Sequence, residues 1–363
     1  MFDKRLLKNL DYVIIAVVVL LTTISFFVIA SASPENPSYF VKRQAARVIV
    51  GLALFVLTLS IDYHDLAQYT RYLYYTNLAL LTTVLVLGRE AKGAQRWLRV
   101  GPVEIQPSEL AKLIIIITLA DLLSKRASSL HTVRDLLPVF VHVGLPMILI
   151  LKQPDLGTSL VFMGLLLGML FVAGIKWQHL AGLCGLGGAA TPVLFYLLED
   201  YQRKRILAVF NPYIDPAGSG YHVIQSMIAI GSGRTWGKGL FRGTQNRLGF
   251  LPEQHTDFIF SVIGEELGFV RAAGILFLYF ILVYRGIQVA LKARDDFGTL
   301  LATGVVIMFT FHILVNVGMT MGIMPVTGIP LPFMSYGGSS YLTNMMALGL
   351  LLNVHMRRQK ILF

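Results

Sequence analysis

Residues Tyr12 to Ala32 read YVIIAVVVLLTTISFFVIASA, a run of 21 residues without a charged side chain. As an α-helix this run extends about 31 Å, enough to cross roughly 30 Å of hydrocarbon. Further uncharged runs follow at Val48 to Ile61 and at Ile275 to Tyr284. They lack the alternation of apolar and polar residues that marks a membrane β-barrel strand. The sequence therefore predicts an all-α integral membrane protein.

The composition of the whole chain supports this prediction. Of 363 residues, 55% are hydrophobic and 14% are charged, which is more apolar surface than one soluble core can bury. A formal charge of +11 would suggest a nucleic-acid partner in a soluble protein. Here the basic residues lie mostly in loops between apolar runs, where topology and lipid headgroups account for them, so we expect no nucleic-acid partner. A single cysteine, Cys184, excludes an internal disulfide and a cysteine-rich metal site.

About ten membrane spans can be assigned along the chain, each centred on an apolar run. No repeat or linker divides them, so we expect one polytopic membrane domain over 1–363, with an uncleaved first helix. A segment of 58 residues, about 199–256, separates spans seven and eight, and long loops are more often functional than idle. The predicted spans are 11–33, 45–62, 71–88, 107–124, 135–152, 156–174, 179–198, 259–289, 298–322 and 338–356.

The orientation follows from the distribution of Lys and Arg. An even number of spans puts both termini on one side, and the basic residues are nearly balanced between the two sides. Long loops cross membranes largely regardless of charge, so discounting the 199–256 loop predicts cytoplasmic termini and an extracytoplasmic loop. The basic residues left on the outer face are either ordinary solvated charges or attract an anionic ligand such as a phosphorylated lipid.

Glu109 and Lys112 are charged residues inside a predicted span. They are three positions apart and therefore share one helical face. A charge at a helix centre costs roughly 2.5 to 3.5 kcal/mol unless it is paired or faces water. The two residues either form a salt bridge that holds helices together or line a polar cavity open to the outer face.

Asp257 occurs where the long loop re-enters an apolar run. It either caps the following helix or acts as a general base, because partial burial raises the pKa of a carboxyl and a cation such as Lys112 lowers it. Glu265 and Glu266 follow about two turns deeper. They are compatible with catalysis and equally with pairing to Arg271 or to backbone.

Two polar turns join predicted spans. Asp155, in the string KQPDLG of 152–157, is expected to be the N-cap of the next helix, with a supporting role in function. The stretch Ile329 to Ser340 reads IPLPFMSYGGSS. Its backbone amides and hydroxyls either receive a phosphate at the next helix N-terminus or form a re-entrant turn without a ligand.

Several strings follow one another in a characteristic order: GAQRWL at 93–98, QPSELAK at 106–112, QPDLGTS at 153–159, LPEQHTDFIF at 251–260 and GIPLPF at 328–333. Together they resemble the SEDS family (shape, elongation, division and sporulation), and the resemblance covers nearly the whole chain. Gly243-Thr244-Gln245 followed by the string at 251–257 is more similar to the elongation branch of that family.

This resemblance implies a peptidoglycan glycosyltransferase that polymerises the lipid-linked disaccharide lipid II. It implies ten helices in the bacterial plasma (inner) membrane, cytoplasmic termini and a reaction on the outer face. It also implies a class B penicillin-binding protein, a transpeptidase, as a partner within the elongation machinery. The matched positions imply that Asp257 is the essential acidic residue, with Glu109 and Lys112 in the same cavity.

The reaction requires a base and cations. Asp257 would take the proton of the acceptor hydroxyl as it attacks the anomeric carbon, in a single displacement with inversion. Lys112 and Arg96 would stabilise the departing polyprenyl diphosphate, with Arg203 and Arg205 as weaker candidates. Further substrate contacts are expected at Gln254, His255, Asp155 and Ser339. No cofactor is assigned, and a divalent cation (Mg²⁺ or Mn²⁺) bridging the diphosphate and Asp257 stays open because no ligand cluster is evident.

Two other functions stay open: a flippase that transports lipid II, and a noncatalytic scaffold for the penicillin-binding protein. A proton-coupled carrier predicts interrupted helices in two symmetrical halves, whereas this sequence shows charges skewed to one face and no half repeat. A scaffold would tolerate Asp257→Ala, whereas the enzyme would lose polymerisation.

Overall fold

The computed structural model describes residues 9–91, 94–101, 103–126, 132–215 and 218–358. Both chain ends lie outside these residues. The prediction that they are cytoplasmic therefore concerns residues outside the described structure. In chain order the helices are α1 (Tyr12–Ser31), α2 (Pro37–Ser60), α3 (Tyr63–Gln68), α4 (Thr70–Leu87), α5 (Pro107–Ser124), α6 (Val133–Lys152), α7 (Leu156–Val172), α8 (Trp177–Leu197), α9 (Asp200–Phe210), α10 (Ser219–Ser232), α11 (Thr244–Arg247), α12 (Ile259–Leu291), α13 (Asp296–Thr320) and α14 (Ser339–Met356).

Each predicted span coincides with one of the long helices, so the helix positions are confirmed. Within the described residues, α1, α6, α12 and α13 are long and apolar enough to cross a membrane by length and composition. The protein is therefore a helical, multi-pass membrane protein, while the number of spans stays a prediction. Helix α2 begins at Pro37, earlier than the predicted 45, because proline suits the first turn of a helix.

A small antiparallel sheet between α4 and α5 departs from the all-α prediction. Its strands are β1 (Arg89–Ala91), β2 (Ala94–Val100) and β3 (Val103–Ile105), paired in the order β1-β2-β3. Leu98 lies opposite Ile105 in the β2–β3 pair. Strands β1 and β3 have only three residues each, and the seven residues of β2, AQRWLRV, do not alternate between apolar and polar. Their effect is to position Arg96 above the helix bundle.

Helix α13 lies at the centre of the bundle and packs against α5, α7, α12 and α14. It is the most deeply buried of the four helices that are long and apolar enough to cross a membrane. Glycines allow this close approach, since a Cβ added to Gly304 would lie 2.6 Å from Cγ2 of Ile116 on α5. A Cβ on Gly286 of α12 would likewise lie 2.6 Å from Cγ2 of Val306 on α13. The central helix therefore brings α5, α7 and α12 together.

The 199–256 segment is folded and is anchored to a break in α12. The break is at Gly268, where φ is +76° and the helical hydrogen bonds are interrupted. The loop supplies replacement partners: the N–H of Phe269 donates to the carbonyl of Arg234 at 2.9 Å. A Cβ on Gly268 would lie 2.1 Å from the backbone N of Gly237, so only glycine fits this approach.

Glu265 and Glu266, at this break, hold the loop in place. Glu265 accepts a hydrogen bond from Nζ of Lys238 at 2.6 Å, and Glu266 accepts one from Oγ of Ser31 at 2.6 Å. Both also accept from backbone N–H groups of the loop. Arg271, which the sequence allowed as a partner, is exposed and pairs with neither in the described structure. The two glutamates are thus structural partners of the loop.

Candidate active site

Asp257 ends a turn that immediately precedes α12. The N-cap of α12 is Phe258, so Asp257 is not the capping residue. The carboxylate is partly buried, and its Oδ2 would lie 3.3 Å from a Cβ on Gly328, where φ is +73°. A side chain at Gly328 would therefore crowd the carboxylate and strain the backbone.

The backbone around Asp257 is fixed from two directions. Nδ2 of Asn316 on α13 donates to the carbonyl of Asp257 at 2.9 Å and to the carbonyl of Ile329 at 2.7 Å. Oγ of Ser335 donates to the carbonyl of Thr256 at 2.6 Å. These contacts tie the turn to α13 and to the stretch before α14, so the carboxylate is held on rigid elements.

Arg205 lies on α9, in the 199–256 loop. It interacts electrostatically with the carboxylates of Asp257 and Asp155, and its Nη1 donates to the carbonyl of Val326 at 3.3 Å. Burial, followed by repulsion from Arg96, lowers the pKa of the Arg205 guanidinium, which nevertheless stays protonated at neutral pH. Two arginines and two carboxylates thus share this part of the molecule.

Arg96 reaches from β2 to the turn between α6 and α7. Its Nε donates to the carbonyl of Gln153 at 3.1 Å, its Nη2 donates to the carbonyl of Pro154, and its Nη1 lies 3.8 Å from Oδ1 of Asp155. Because two carbonyls and one carboxylate orient the guanidinium, Arg96 has a defined direction despite lying on a short strand.

Asp155 is the N-cap of α7, as predicted. Its Oδ1 accepts from the N–H of Thr158 at 3.1 Å, and its Oδ2 accepts from Oγ of Ser108 on α5 at 3.4 Å. The capping role accounts for an aspartate at this position without a catalytic function. Its contact with Arg96 nevertheless makes it part of the candidate site.

Lys112 is buried, with 1% of its surface exposed. Its Nζ donates to Oε1 of Glu109 at 2.8 Å and lies 3.2 Å from Nε2 of His312 on α13. Since an ammonium group only donates, Nε2 of His312 must accept, which leaves the imidazole proton on Nδ1. Nδ1 of His312 and Oε2 of Glu109 are both buried without a hydrogen-bond partner in the described residues. The salt bridge is therefore present, while a polar cavity beside it stays a prediction.

Helix α13 connects this pair to Asp257. His312 contacts Lys112, and Asn316, one turn further along the same face, contacts the backbone of Asp257. Sequence reasoning did not identify His312 or Asn316. Both are buried polar residues in an apolar span, and that signal could have singled them out.

The N-terminal ends of four helices meet at this site. Oγ of Ser339, at the start of α14, accepts from the N–H of Gln106, which precedes α5. The Ser108–Asp155 contact joins the starts of α5 and α7, and Ser335, before α14, donates to the carbonyl of Thr256 in the turn before α12. The N-terminal end of a helix carries partial positive charge, and carboxylates already lie at two of these ends, Asp155 at α7 and Glu109 in the first turn of α5.

Three other predicted residues are used in local packing. Arg203 donates to the carbonyls of Phe195 and Tyr196 at the end of α8. Gln254 donates to the carbonyl of Ala32 at 3.0 Å. His255 packs against other aromatic rings, those of Phe40 and Tyr336. Their contacts with a substrate stay predictions.

Comparison with known proteins identifies the family. The profile of the FtsW/RodA/SpoVE family, described as "Cell cycle protein", matches residues 9–360. Peptidoglycan glycosyltransferase MrdB of Escherichia coli (strain K12) is 38% identical over 352 residues, which cover 97% of this chain and 95% of the relative.

Two solved structures share the fold. A chain from a study of how a peptidoglycan synthase complex coordinates polymerization and crosslinking gives a TM-score of 0.84 at 37% identity, covering 96% of this chain and 98% of that one. The crystal structure of the rod shape determining protein RodA of Thermus thermophilus gives 0.73 at 32% identity, covering 97% and 98%. The chain therefore belongs to the FtsW/RodA/SpoVE family, which is the SEDS family, and is RodA-like within it.

Proposed function

We propose that this protein is a peptidoglycan glycosyltransferase that polymerises lipid II during cell elongation, with Asp257 as its general base. The names of its relatives support the reaction. The observation that supports the base is the position of Asp257, on a turn that Asn316 of α13 holds and that interacts electrostatically with Arg205.

In the proposed step the carboxylate of Asp257 accepts the proton of the acceptor sugar hydroxyl. The oxygen of that hydroxyl forms a bond to the anomeric carbon of the donor, and the bond from this carbon to the diphosphate breaks. The bonding electrons leave with the polyprenyl diphosphate. Attack opposite the leaving group inverts the anomeric centre, and no covalent enzyme intermediate forms.

Cations offset the charge of the leaving group. Arg205 and Arg96 provide guanidinium groups that suit the paired oxygens of a phosphate. Lys112 on α5, held by Glu109 and by His312 of α13, provides a buried positive charge one helical turn of α13 away from Asn316. We propose that these three cations together bind the diphosphate, because they offset its negative charge.

The remaining predicted residues complete the proposed substrate surface: Asp155, Arg203, Gln254, His255 and Ser339. Within the described residues, no group of three or more His, Cys, Asp or Glu side chains could hold a metal ion. No cofactor is assigned. If the reaction uses a divalent cation, Mg²⁺ or Mn²⁺, Asp257 and the oxygens of the diphosphate would hold it, since such ions prefer oxygen donors.

The proposed topology has ten spans in a single plasma-membrane domain. The termini lie in the cytoplasm, and the 199–256 loop lies outside between spans seven and eight. Asp257, Arg96 and Arg205 then face the outer side, where the glycan is built. A class B penicillin-binding protein is the proposed partner, supported by the synthase complex from which one structural neighbour comes.

The test is polymerisation of labelled lipid II by the purified protein with its transpeptidase partner. Asp257→Asn should lower the rate by at least about 100-fold, since a positioned base contributes roughly 10²- to 10⁴-fold. Glu35→Gln is the matched control, because Glu35 is an exposed carboxylate in the loop before α2 and should leave the rate unchanged.

Other outcomes distinguish the alternatives. Equal rates for wild type and Asp257→Asn would support the polymerisation reaction but contradict the role of Asp257 as general base. Wild-type protein that binds its partner but makes no glycan would favour a scaffold, or a flippase if it moves lipid II across vesicles. A trapped glycosyl-enzyme adduct would reject the single displacement.

A further inference from the structure

A polar cavity lies at the end of the bundle opposite Asp257. It has a volume of about 400 Å³ and opens between the start of α1, the end of α12 and the end of α14. Helix α1 separates it from the candidate active site: Asp11 precedes the helix, and Ala32, which contacts Gln254, follows its 20 residues. That length corresponds to about 30 Å, so the cavity is distinct from the site around Asp257.

The cavity is positively charged. Arg285, Lys292 and Arg358 line it together with one carboxylate, Asp11. Asp11 caps α1 through the N–H of Val13 at 3.1 Å and pairs with Nη2 of Arg285 at 2.6 Å, so its charge is already compensated. Lys292 and Arg358 form no ion pair with a carboxylate of the described residues. Two cations are therefore available to a ligand.

His355 adds a buried polar atom to this cavity. Its side chain lines the cavity, yet only 7% of the residue is exposed. Its Nδ1 has no hydrogen-bond partner in the described residues. Because buried polar atoms in native proteins nearly always have a partner, this nitrogen is available to a water or to a group in the cavity once the imidazole turns to expose it.

We propose that this cavity binds a phosphate group through Lys292 and Arg358, with a hydrogen bond to His355. Phosphate matches the charge, and its oxygens accept hydrogen bonds from all three side chains. The group belongs either to an anionic lipid headgroup or to a soluble phosphate compound. Tyr12 and Leu291, at the cavity and next to it, are 64% and 79% exposed, which gives acyl chains an apolar surface beside the headgroup.

The test uses the full-length purified protein and two probes. Native mass spectrometry compares retention of phosphatidylglycerol with phosphatidylcholine of identical acyl chains, and equilibrium dialysis measures binding of inorganic phosphate. The cavity variant is Lys292→Gln with Arg358→Gln. The matched control is Arg134→Gln with Lys176→Gln, two exposed basic residues outside the cavity that change the net charge equally.

We expect wild type and control to prefer phosphatidylglycerol and the cavity variant to lose this preference roughly tenfold or more. His355→Leu, which keeps every cation, should lower it several-fold. If inorganic phosphate shows these differences and the lipid does not, the site stands with a soluble ligand. The proposal would be overturned if wild type and cavity variant bound equally, or if variant and control lost binding equally. It would also be overturned if His355→Leu had no effect or if neither probe bound.

Discussion

Nζ of Lys112 lies 3.2 Å from Nε2 of His312, although the two residues are on different helices and are 1% and 0% exposed. The contact fixes the imidazole as an acceptor and directs one ammonium hydrogen toward α13. Glu109 takes a second hydrogen at 2.8 Å. The ammonium is thus oriented by two partners on two helices. The salt bridge to Glu109 alone, which lies within one helix, would fix only one of its hydrogens.

Glu109→Gln should destabilise the protein strongly. Removing one partner leaves the buried charge of Lys112 uncompensated, which costs about 3 to 5 kcal/mol. Thermal unfolding in detergent would measure the loss. The double variant Glu109→Gln with Lys112→Met should recover much of the lost stability. If its loss equalled the sum of the losses of the two single variants, the two residues would not be coupled.

His312→Leu should lower the polymerisation rate about tenfold or more through misplacement of Lys112. His312→Gln should restore much of the rate, because its side-chain oxygen can accept the same hydrogen bond. The measurement is the rate at saturating lipid II, with unfolding temperature recorded in parallel. Equal rates for the Leu and Gln variants would mean that the acceptor does not position Lys112.

Gly268→Ala should unfold the protein or detach the loop from α12. The added Cβ would lie 2.1 Å from the backbone of Gly237, and φ of +76° disfavours a side chain. Gly274→Ala is the control in the same helix, since nothing lies within 4 Å of its Cβ. That change should be neutral or stabilising by up to about 1 kcal/mol. Similar unfolding temperatures for the two variants would contradict the proposed close approach.

Arg205→Ala should weaken binding of the diphosphate substrate by roughly ten- to a hundredfold, as expected for loss of a charge-assisted hydrogen bond. Arg205→Lys should restore only part, because an ammonium lacks the paired donors of a guanidinium. The KM for lipid II would measure the effect of both substitutions. Lys204→Ala, at the exposed neighbouring position, should leave KM unchanged, and an equal rise there would indicate a general effect of loop charge.

Asp295 should contribute stability that is lost in acid. Burial opposes its charge, but hydrogen bonds from Tyr63, the N–H of Gly298 and His64 outweigh burial and lower the pKa of Asp295 below 3.8. A carboxyl with a lowered pKa stabilises the fold above its unfolded pKa and loses this contribution as pH falls through the folded one. The difference in unfolding temperature between wild type and Asp295→Asn should be large at pH 7 and shrink below about pH 4. A constant difference would contradict this.

Local features could be predicted from the sequence because they depend on residues close together in the chain. The length of the Tyr12–Ala32 run predicts a membrane helix, since its backbone must satisfy its own hydrogen bonds in lipid. The N-cap role of Asp155 follows equally from its neighbours. The strands at 89–105 were missed because β1 and β3 have three residues each and β2 lacks an alternating pattern.

Long-range contacts were decided only by the tertiary structure. Glu265 and Glu266 each had several possible partners in the sequence, and packing of the loop against the break at Gly268 selected Lys238 for one and Ser31 for the other. The sequence by itself determined the apolar helices and the charged residues they carry, because solvation by lipid acts on each segment separately. The packing of α5, α12 and α13 decides which helices meet. It therefore also decides that His312 accepts a hydrogen bond from Lys112 and that Asn316 holds the turn of Asp257.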